Sequence, residues 1–142
     1  MTRILTALVL IPTFWYIVLW APQWAFLAAV AVVAMLCFHE YVDLTAGHKI
    51  PTAGIFGYVA GLLILFLPGK ETAFFVLVAI LGLALSLRSR ELSEVLPSAA
   101  ALLLGVAYVF GSLRCAIDLR AVSPYWLFLG LSLNWVGDIA AL

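Results

Sequence analysis

The residue best suited to chemistry is Asp138, which lies in an otherwise apolar stretch that opens at Pro124. A carboxylate in the middle of a membrane helix costs about 2.5–3.5 kcal/mol, so such a residue usually faces a cavity or a partner. Asn134 precedes it by one helical turn and would share its face. The pair favours a metal or phosphate site, with Asp138 as catalytic or metal-binding residue and Asn134 as substrate contact. The alternative is a helix-end carboxylate that reaches toward water.

A second polar cluster consists of His39, Glu40 and Asp43, at the end of another apolar stretch. In a helix, the spacings of four from His39 to Asp43 and three from Glu40 to Asp43 place each pair on one face. Such a cluster could bind a metal ion. The simpler interpretation is a solvated helix end with its charges at a membrane surface, and the roles of the three residues stay open.

The composition predicts that these residues belong to an integral membrane protein. Of 142 residues, 67% are hydrophobic and 10% are charged, and the mean hydropathy is +1.23. About a quarter of the residues are charged in a typical soluble domain, so this chain has too few to cover a surface that faces water. Seven basic and seven acidic residues cancel, which argues against a nucleic-acid partner. The apolar runs are unbroken rather than alternating, which predicts helices instead of strands.

We therefore predict an all-α fold, a polytopic bundle of about six transmembrane helices. A bilayer core about 30 Å thick requires about 20 apolar residues per helix. Prolines, glycines and charged runs separate the apolar stretches, with breaks at Pro22, 43–51, 68–70, 88–91 and 114–124. The predicted spans are Ile4–Ala21, Trp24–Val42, Ala53–Leu67, Thr72–Leu87, Val95–Leu113 and Tyr125–Leu142.

Basic residues near the span ends favour an N-terminus in the cytoplasm, because that side would carry more of them. Four would lie on the cytoplasmic side: Arg3, Lys49, Arg88 and Arg90. Three would lie on the opposite side: Lys70, Arg114 and Arg120. Four aromatic residues would lie together at the second interface, as an anchoring belt does: Trp20, Trp24, Tyr125 and Trp126.

Small residues mark one face of the third predicted span, at Gly54, Gly57 and Gly61. Gly57 and Gly61 are four residues apart, a spacing that lets another helix approach closely. The other interpretation is that glycine is simply common in membrane helices.

Four segments, taken in order, resemble bacterial phosphatidate cytidylyltransferases. The last is the most specific, because Trp135, Asp138 and Ala141 match the W-x-x-D-x-x-A-Y motif of that family, with Leu142 in place of the tyrosine. The others are the basic and apolar opening 3–12, the E-Y-x-x-L segment 40–44 followed by Gly47 and Pro51, and the G-x-x-Y-V segment 105–109.

The resemblance covers the whole chain but only the front half or so of a family member. It implies that residues 1–142 are the membrane-embedded N-terminal part of such an enzyme, cut in or at the end of the last helix and inactive alone. The full enzyme would transfer the cytidylyl group of CTP to phosphatidate in phospholipid biosynthesis, giving CDP-diacylglycerol and pyrophosphate. It would use Mg²⁺, with Asp138 contributing to the polar site and the remaining ligands supplied from beyond residue 142. The implied location is the bacterial inner membrane, and association into homo-oligomers is left open.

The alternative function is a small non-enzymatic helical membrane module, such as half of a transporter. An internal repeat would favour a transporter. The first three and the last three predicted spans share no corresponding polar residue or Gly/Pro break, which favours the enzyme.

Overall fold

The computed structural model describes residues 12–48, 50, 54–67, 69, 71–87 and 92–140. Every regular element in these ranges is helical, which confirms the predicted all-α class for the described part of the chain. In chain order the elements are α1 (12–19), α2 (Gln23–Gly47), α3 (Gly54–Phe66), α4 (Glu71–Ser86), α5 (Leu92–Gly105), a π-helical segment (Val106–Gly111), α6 (Ser112–Val122) and α7 (Pro124–Ala140).

Proline or glycine lies at three of the breaks between these helices, although Pro97 lies inside α5. Pro22 lies between α1 and α2, and Pro124 is the first residue of α7, a position where its missing N–H costs no helical hydrogen bond. Gly69, between α3 and α4, has a φ of 81°, a left-handed conformation that glycine adopts without steric cost. The predicted breaks at these positions are confirmed.

Two stretches that we predicted as loops because of their polar residues are helical instead. α2 continues through Asp43 to Gly47, and α6 contains both Arg114 and Arg120 before it ends at Val122. Polar side chains do not interrupt the hydrogen bonds of a helical backbone, whereas glycine and proline disfavour them. The predicted loop 114–124 is therefore wrong, apart from the short break at Ser123.

Two helices in the described ranges are long and apolar enough to cross a membrane. They are Gln23–Gly47, with a mean hydropathy of 2.0, and the continuous helix Val95–Val122, with a mean hydropathy of 1.8. Gly54–Phe66 and Ala73–Ala84 are apolar but shorter. The predicted number of six spans is thus not established, and residues 4–11 and 141–142 of the predicted first and last spans lie outside the described residues.

The chain forms two compact units, one from residues 1–30 and 115–142 and the other from residues 31–114. Buried side chains in the first unit include Val18, Phe26, Ile117 and Leu127. In this unit the four aromatic residues of the predicted belt are all exposed, although their placement at one membrane interface stays a prediction.

Aromatic rings packed against glycines form the centre of the second unit. The buried ring of Phe38 lies 4.9 Å from the ring of Tyr58 and 5.2 Å from that of Phe110, between centroids. A methyl group built on Gly57 would lie 2.3 Å from the Phe38 ring, and one on Gly61 would lie 2.2 Å from the Phe110 ring. The small-residue face of α3 is therefore used for close packing, with aromatic side chains as the partners.

Candidate functional site

Helix α7 carries both residues that we predicted for the site. Asn134 is exposed, and Asp138 lies one turn further along the same continuous helix. Their spacing of four residues places them on one face, as predicted. The side chain of Asp138 lies outside the described residues, so its predicted role as catalytic or metal-binding residue stays a prediction.

Two aromatic contacts hold α7 against α1 within the first unit. The rings of Trp15 and Phe128 meet edge to face, with centroids 4.9 Å apart, and those of Phe14 and Trp135 are 5.6 Å apart. Such pairs contribute about 0.5–1.5 kcal/mol beyond the burial of their area. Because Trp135 precedes Asp138 by three residues, this packing fixes the segment of α7 that leads into the candidate site.

The cluster at the end of α2 is a solvated pair rather than an assembled site. His39 Nδ1 lies 3.1 Å from Asp43 Oδ2, and the two side chains are 69% and 68% exposed. The prediction that they share a face is confirmed. Glu40 is also exposed. In the described ranges, no group of three or more His, Cys, Asp or Glu residues is arranged to hold a metal ion.

The structure also brings two of the family-like segments into contact within the second unit. The Tyr41 hydroxyl donates a hydrogen bond of 2.7 Å to the carbonyl oxygen of Ala101, which is 60 residues away in the chain. The Tyr41 ring covers Gly105, where a built methyl group would lie 2.3 Å from a ring carbon. Thus the E-Y-x-x-L segment packs directly on the start of the G-x-x-Y-V segment, a contact that our sequence analysis missed.

The G-x-x-Y-V segment runs into the π-helical turn Val106–Gly111. A π-helical turn shifts the backbone hydrogen bonds by one residue, and at its end the Ser112 hydroxyl shares its proton between the carbonyl oxygens of Tyr108 and Val109. The turn buries Val109 and Phe110 while Tyr108 stays exposed. Such turns are rare and are frequently found at functional sites. Glycines flank and end this turn, at Gly105 and Gly111, but glycine in a helical stretch does not by itself predict a π-helical turn.

The donor chemistry of Asp138 suits a hard cation, since carboxylate oxygens are the ligands that Mg²⁺ prefers. A magnesium site needs additional oxygen ligands or bound phosphates, and the described residues do not supply a second carboxylate on the same face of α7. A magnesium site that includes Asp138 therefore needs ligands from outside α7, and the assignment of Asp138 to such a site stays a prediction.

The model of a family described as the cytidylyltransferase family matches residues 1–142, the whole chain. No curated protein and no solved structure matches the chain.

Proposed function

The chain belongs to the cytidylyltransferase family, and from this premise we propose that the protein transfers the cytidylyl group of CTP to phosphatidate, giving CDP-diacylglycerol and pyrophosphate. Family membership supports a CTP-dependent nucleotidyltransferase in general terms. The match over residues 1–142 is the observation that carries the proposal, because it includes the Trp135–Asp138 segment with its family-like spacing.

A lipid acceptor agrees with the surface of the described helices. Large apolar side chains are exposed in both units, among them Ile55 at 84% and Val122 at 78%. Monomeric soluble proteins rarely expose contiguous apolar surface on this scale. We therefore propose that the protein is embedded in a membrane, the bacterial inner membrane by the resemblance. There it would meet an acceptor whose acyl chains lie in the bilayer and whose phosphate lies at the surface.

The proposed reaction is a displacement at the α-phosphorus of CTP. A phosphate oxygen of phosphatidate forms a new bond to that phosphorus. The bond from the α-phosphorus to the bridging oxygen breaks, and pyrophosphate leaves with the electron pair. Both reactants are anions, so catalysis depends on groups that hold them in line and offset the developing charge.

Asp138 fits this chemistry only together with a cation. A lone carboxylate beside a triphosphate would repel it, since like charges disfavour one another at short range. Bound Mg²⁺ would supply the positive charge that offsets both the phosphates and the carboxylate. Within this chain we propose that Asp138 contributes one oxygen ligand and that Asn134, on the same face, contacts a substrate.

We also propose that the N-terminus faces the cytoplasm, which would place Asp138 on the side where CTP is available. Arg114 donates a hydrogen bond of 2.9 Å to the carbonyl oxygen of Leu65, and Arg120 is buried. Both belong to α6 rather than to a loop, and together with Lys70 they are the three basic residues on the proposed outer side. Four basic residues stay in the proposed cytoplasmic loops and terminus: Arg3, Lys49, Arg88 and Arg90. This count favours the proposed orientation.

The experiment that tests the function compares two acceptors. The protein expressed from its complete reading frame is purified in detergent and incubated with Mg²⁺ and CTP labelled in the α-phosphate. We expect label in the lipid fraction, with one pyrophosphate released per lipid formed, when the acceptor is phosphatidate. Diacylglycerol with the same acyl chains should accept none. Absence of transfer to phosphatidate, or equal transfer to diacylglycerol, would contradict the proposed substrate.

A further inference from the structure

Arg120 is a buried charged side chain, with 7% of its surface exposed, and no other charged residue whose burial the structure describes is buried. Its guanidinium donates from Nε to the carbonyl oxygen of Val18 at 2.8 Å and from one terminal nitrogen to that of Ala21 at 2.6 Å. The other terminal nitrogen donates to Gln23 Oε1 at 3.3 Å. The guanidinium carbon lies 4.2 Å from the centroid of the Phe26 ring.

The acceptors explain why a cation occupies this position. The carbonyls of Val18 and Ala21 belong to the end of α1 and to the break that Pro22 imposes before α2. The last carbonyls of a helix lack backbone partners and carry the negative end of the helix dipole. A planar guanidinium can donate to several acceptors at once, and the aromatic face stabilises its charge. Arg120 thus satisfies carbonyl oxygens at the end of α1, and its partners in the described part of the chain are two carbonyls, an amide oxygen and an aromatic ring.

Arg120, which holds the end of α1, lies close in sequence to the start of α7. Arg120 precedes Pro124 by four residues, and the intervening turn is held by bonds from Ser123 N to Leu119 O and from Trp126 N to Ser123 O. The guanidinium therefore fixes the end of α1 relative to the beginning of α7. Further along α7, the two aromatic contacts described above hold the same pair of helices, and Trp135 is the contact nearest to Asp138.

We propose that Arg120 is a positioning residue for the site to which Asp138 contributes. It acts through α1: its bonds hold the end of that helix, and the aromatic contacts of α1 then set the position of α7. This inference rests on the proposed function. Arg120 contacts no reacting group, but its loss would displace the polar face of α7.

The test compares Arg120→Gln and Arg120→Lys with the matched control Arg114→Gln. Arg114 lies on the same helix and also donates to a helix-end carbonyl, but at the end of α3 within the second unit. Glutamine removes the charge and most of the donors. Lysine keeps the charge but cannot donate in a plane to several acceptors.

Two measurements are made on the protein from its complete reading frame. The first is kcat and KM for CTP with phosphatidate as the acceptor. The second is the rate of disulfide formation between cysteines introduced at Trp15 and Phe128, which leaves the Phe14–Trp135 contact in place, in a background in which Cys37 and Cys115 are replaced by serine. Disulfide formation reports the distance between α1 and α7 and does not require activity.

We expect Arg120→Gln to lower kcat about ten- to a hundredfold, the range expected for a displacement of about 1 Å at a reacting centre. KM for CTP should change less than about threefold, since Arg120 contacts no substrate, and disulfide formation should slow at least about fivefold. Arg120→Lys should retain more of kcat and a faster rate of disulfide formation than Arg120→Gln. If Arg120→Gln does not fold, Arg120→Lys is compared with the unsubstituted protein instead. Arg114→Gln should leave disulfide formation unchanged.

An unchanged kcat, or an unchanged rate of disulfide formation, in both Arg120 variants would overturn the inference. Slowing of the same size in Arg114→Gln would overturn it too, because the effect would then not be specific to α1. Failure of the proposed function is recognised separately. In that case the unsubstituted protein forms no CDP-diacylglycerol, while disulfide formation still reports whether Arg120 holds α1 and α7 together.

Discussion

Replacing Gly61 with alanine perturbs the packing at the centre of the second unit. Gly61 lies on α3, and a methyl group at this position would lie 2.2 Å from two carbons of the Phe110 ring. Favourable contacts between carbon atoms are about 3.5–4.0 Å long, so the ring or the helix must move by more than 1 Å. Phe110 is fully buried, which leaves its ring no open space to enter.

The expected size of the effect follows from two opposing contributions. Forcing an extra methyl group into a well-packed core costs about 1–3 kcal/mol. Replacing glycine by alanine within a helix returns about 0.5–1 kcal/mol, because alanine loses less conformational entropy. Since the conflict at Gly61 is severe, we expect Gly61→Ala to lower the free energy of unfolding by about 1–2 kcal/mol.

The assay is unfolding of the purified protein in mixed micelles with increasing SDS, followed by circular dichroism. Gly130→Ala is the matched control: Gly130 is also within a helix, and among the described atoms none lies within 4 Å of a methyl group built there. Gly130→Ala should therefore be neutral or stabilising. Phe110→Leu in the Gly61→Ala background should recover part of the loss, as expected for directly coupled residues. Equal stability of the two glycine variants would refute the packing described for α3.

Two further predictions concern a hydrogen bond and the orientation in the membrane. Tyr41→Phe removes the hydroxyl that donates to the Ala101 carbonyl oxygen. It should lower the free energy of unfolding by about 0.5–1.5 kcal/mol in the same SDS titration. An unchanged free energy of unfolding would show that this hydrogen bond contributes nothing to stability. For the orientation, single cysteines are introduced in a background without native cysteines and labelled with a membrane-impermeant maleimide. A cysteine at Ser89 should be labelled from the cytoplasmic side and one at Gly69 from the outer side. The opposite pattern would reverse the proposed orientation.

Local sequence signals were sufficient for the helical class and for most helix ends. Pro22, Gly69 and Pro124 lie at breaks because their backbone preferences act within a few residues. The glycine face of α3 was also predicted, since its spacing is a local property. Its partners, Phe38 and Phe110, were not predicted, because they come from other helices.

The predictions fail where polar residues lie within a helix rather than in a loop. Arg114 and Arg120 lie in a stretch from Ser112 to Ser123 that contains no glycine or proline. The lack of these two residue types was the available signal for a helix. The burial of Arg120 could not be predicted, because its acceptors are about 100 residues away in the chain. The bond from Tyr41 to Ala101 was missed for the same reason, since no local pattern specifies a contact over 60 residues.

The measurement that tests the central claim most directly is the rate of CDP-diacylglycerol formation by Asp138→Asn, with Asp43→Asn as the control. Both substitutions replace a carboxylate by an amide of nearly the same size. Asp43 is 68% exposed and paired with His39, so its loss should change the rate less than about twofold. Asp138→Asn should reduce the rate by about two orders of magnitude or more, as for loss of one strong electrostatic contributor at a reacting centre. Equal and mild effects at both positions would contradict the assignment of the reaction to α7, and a large loss at Asp43 alone would move the site to the end of α2.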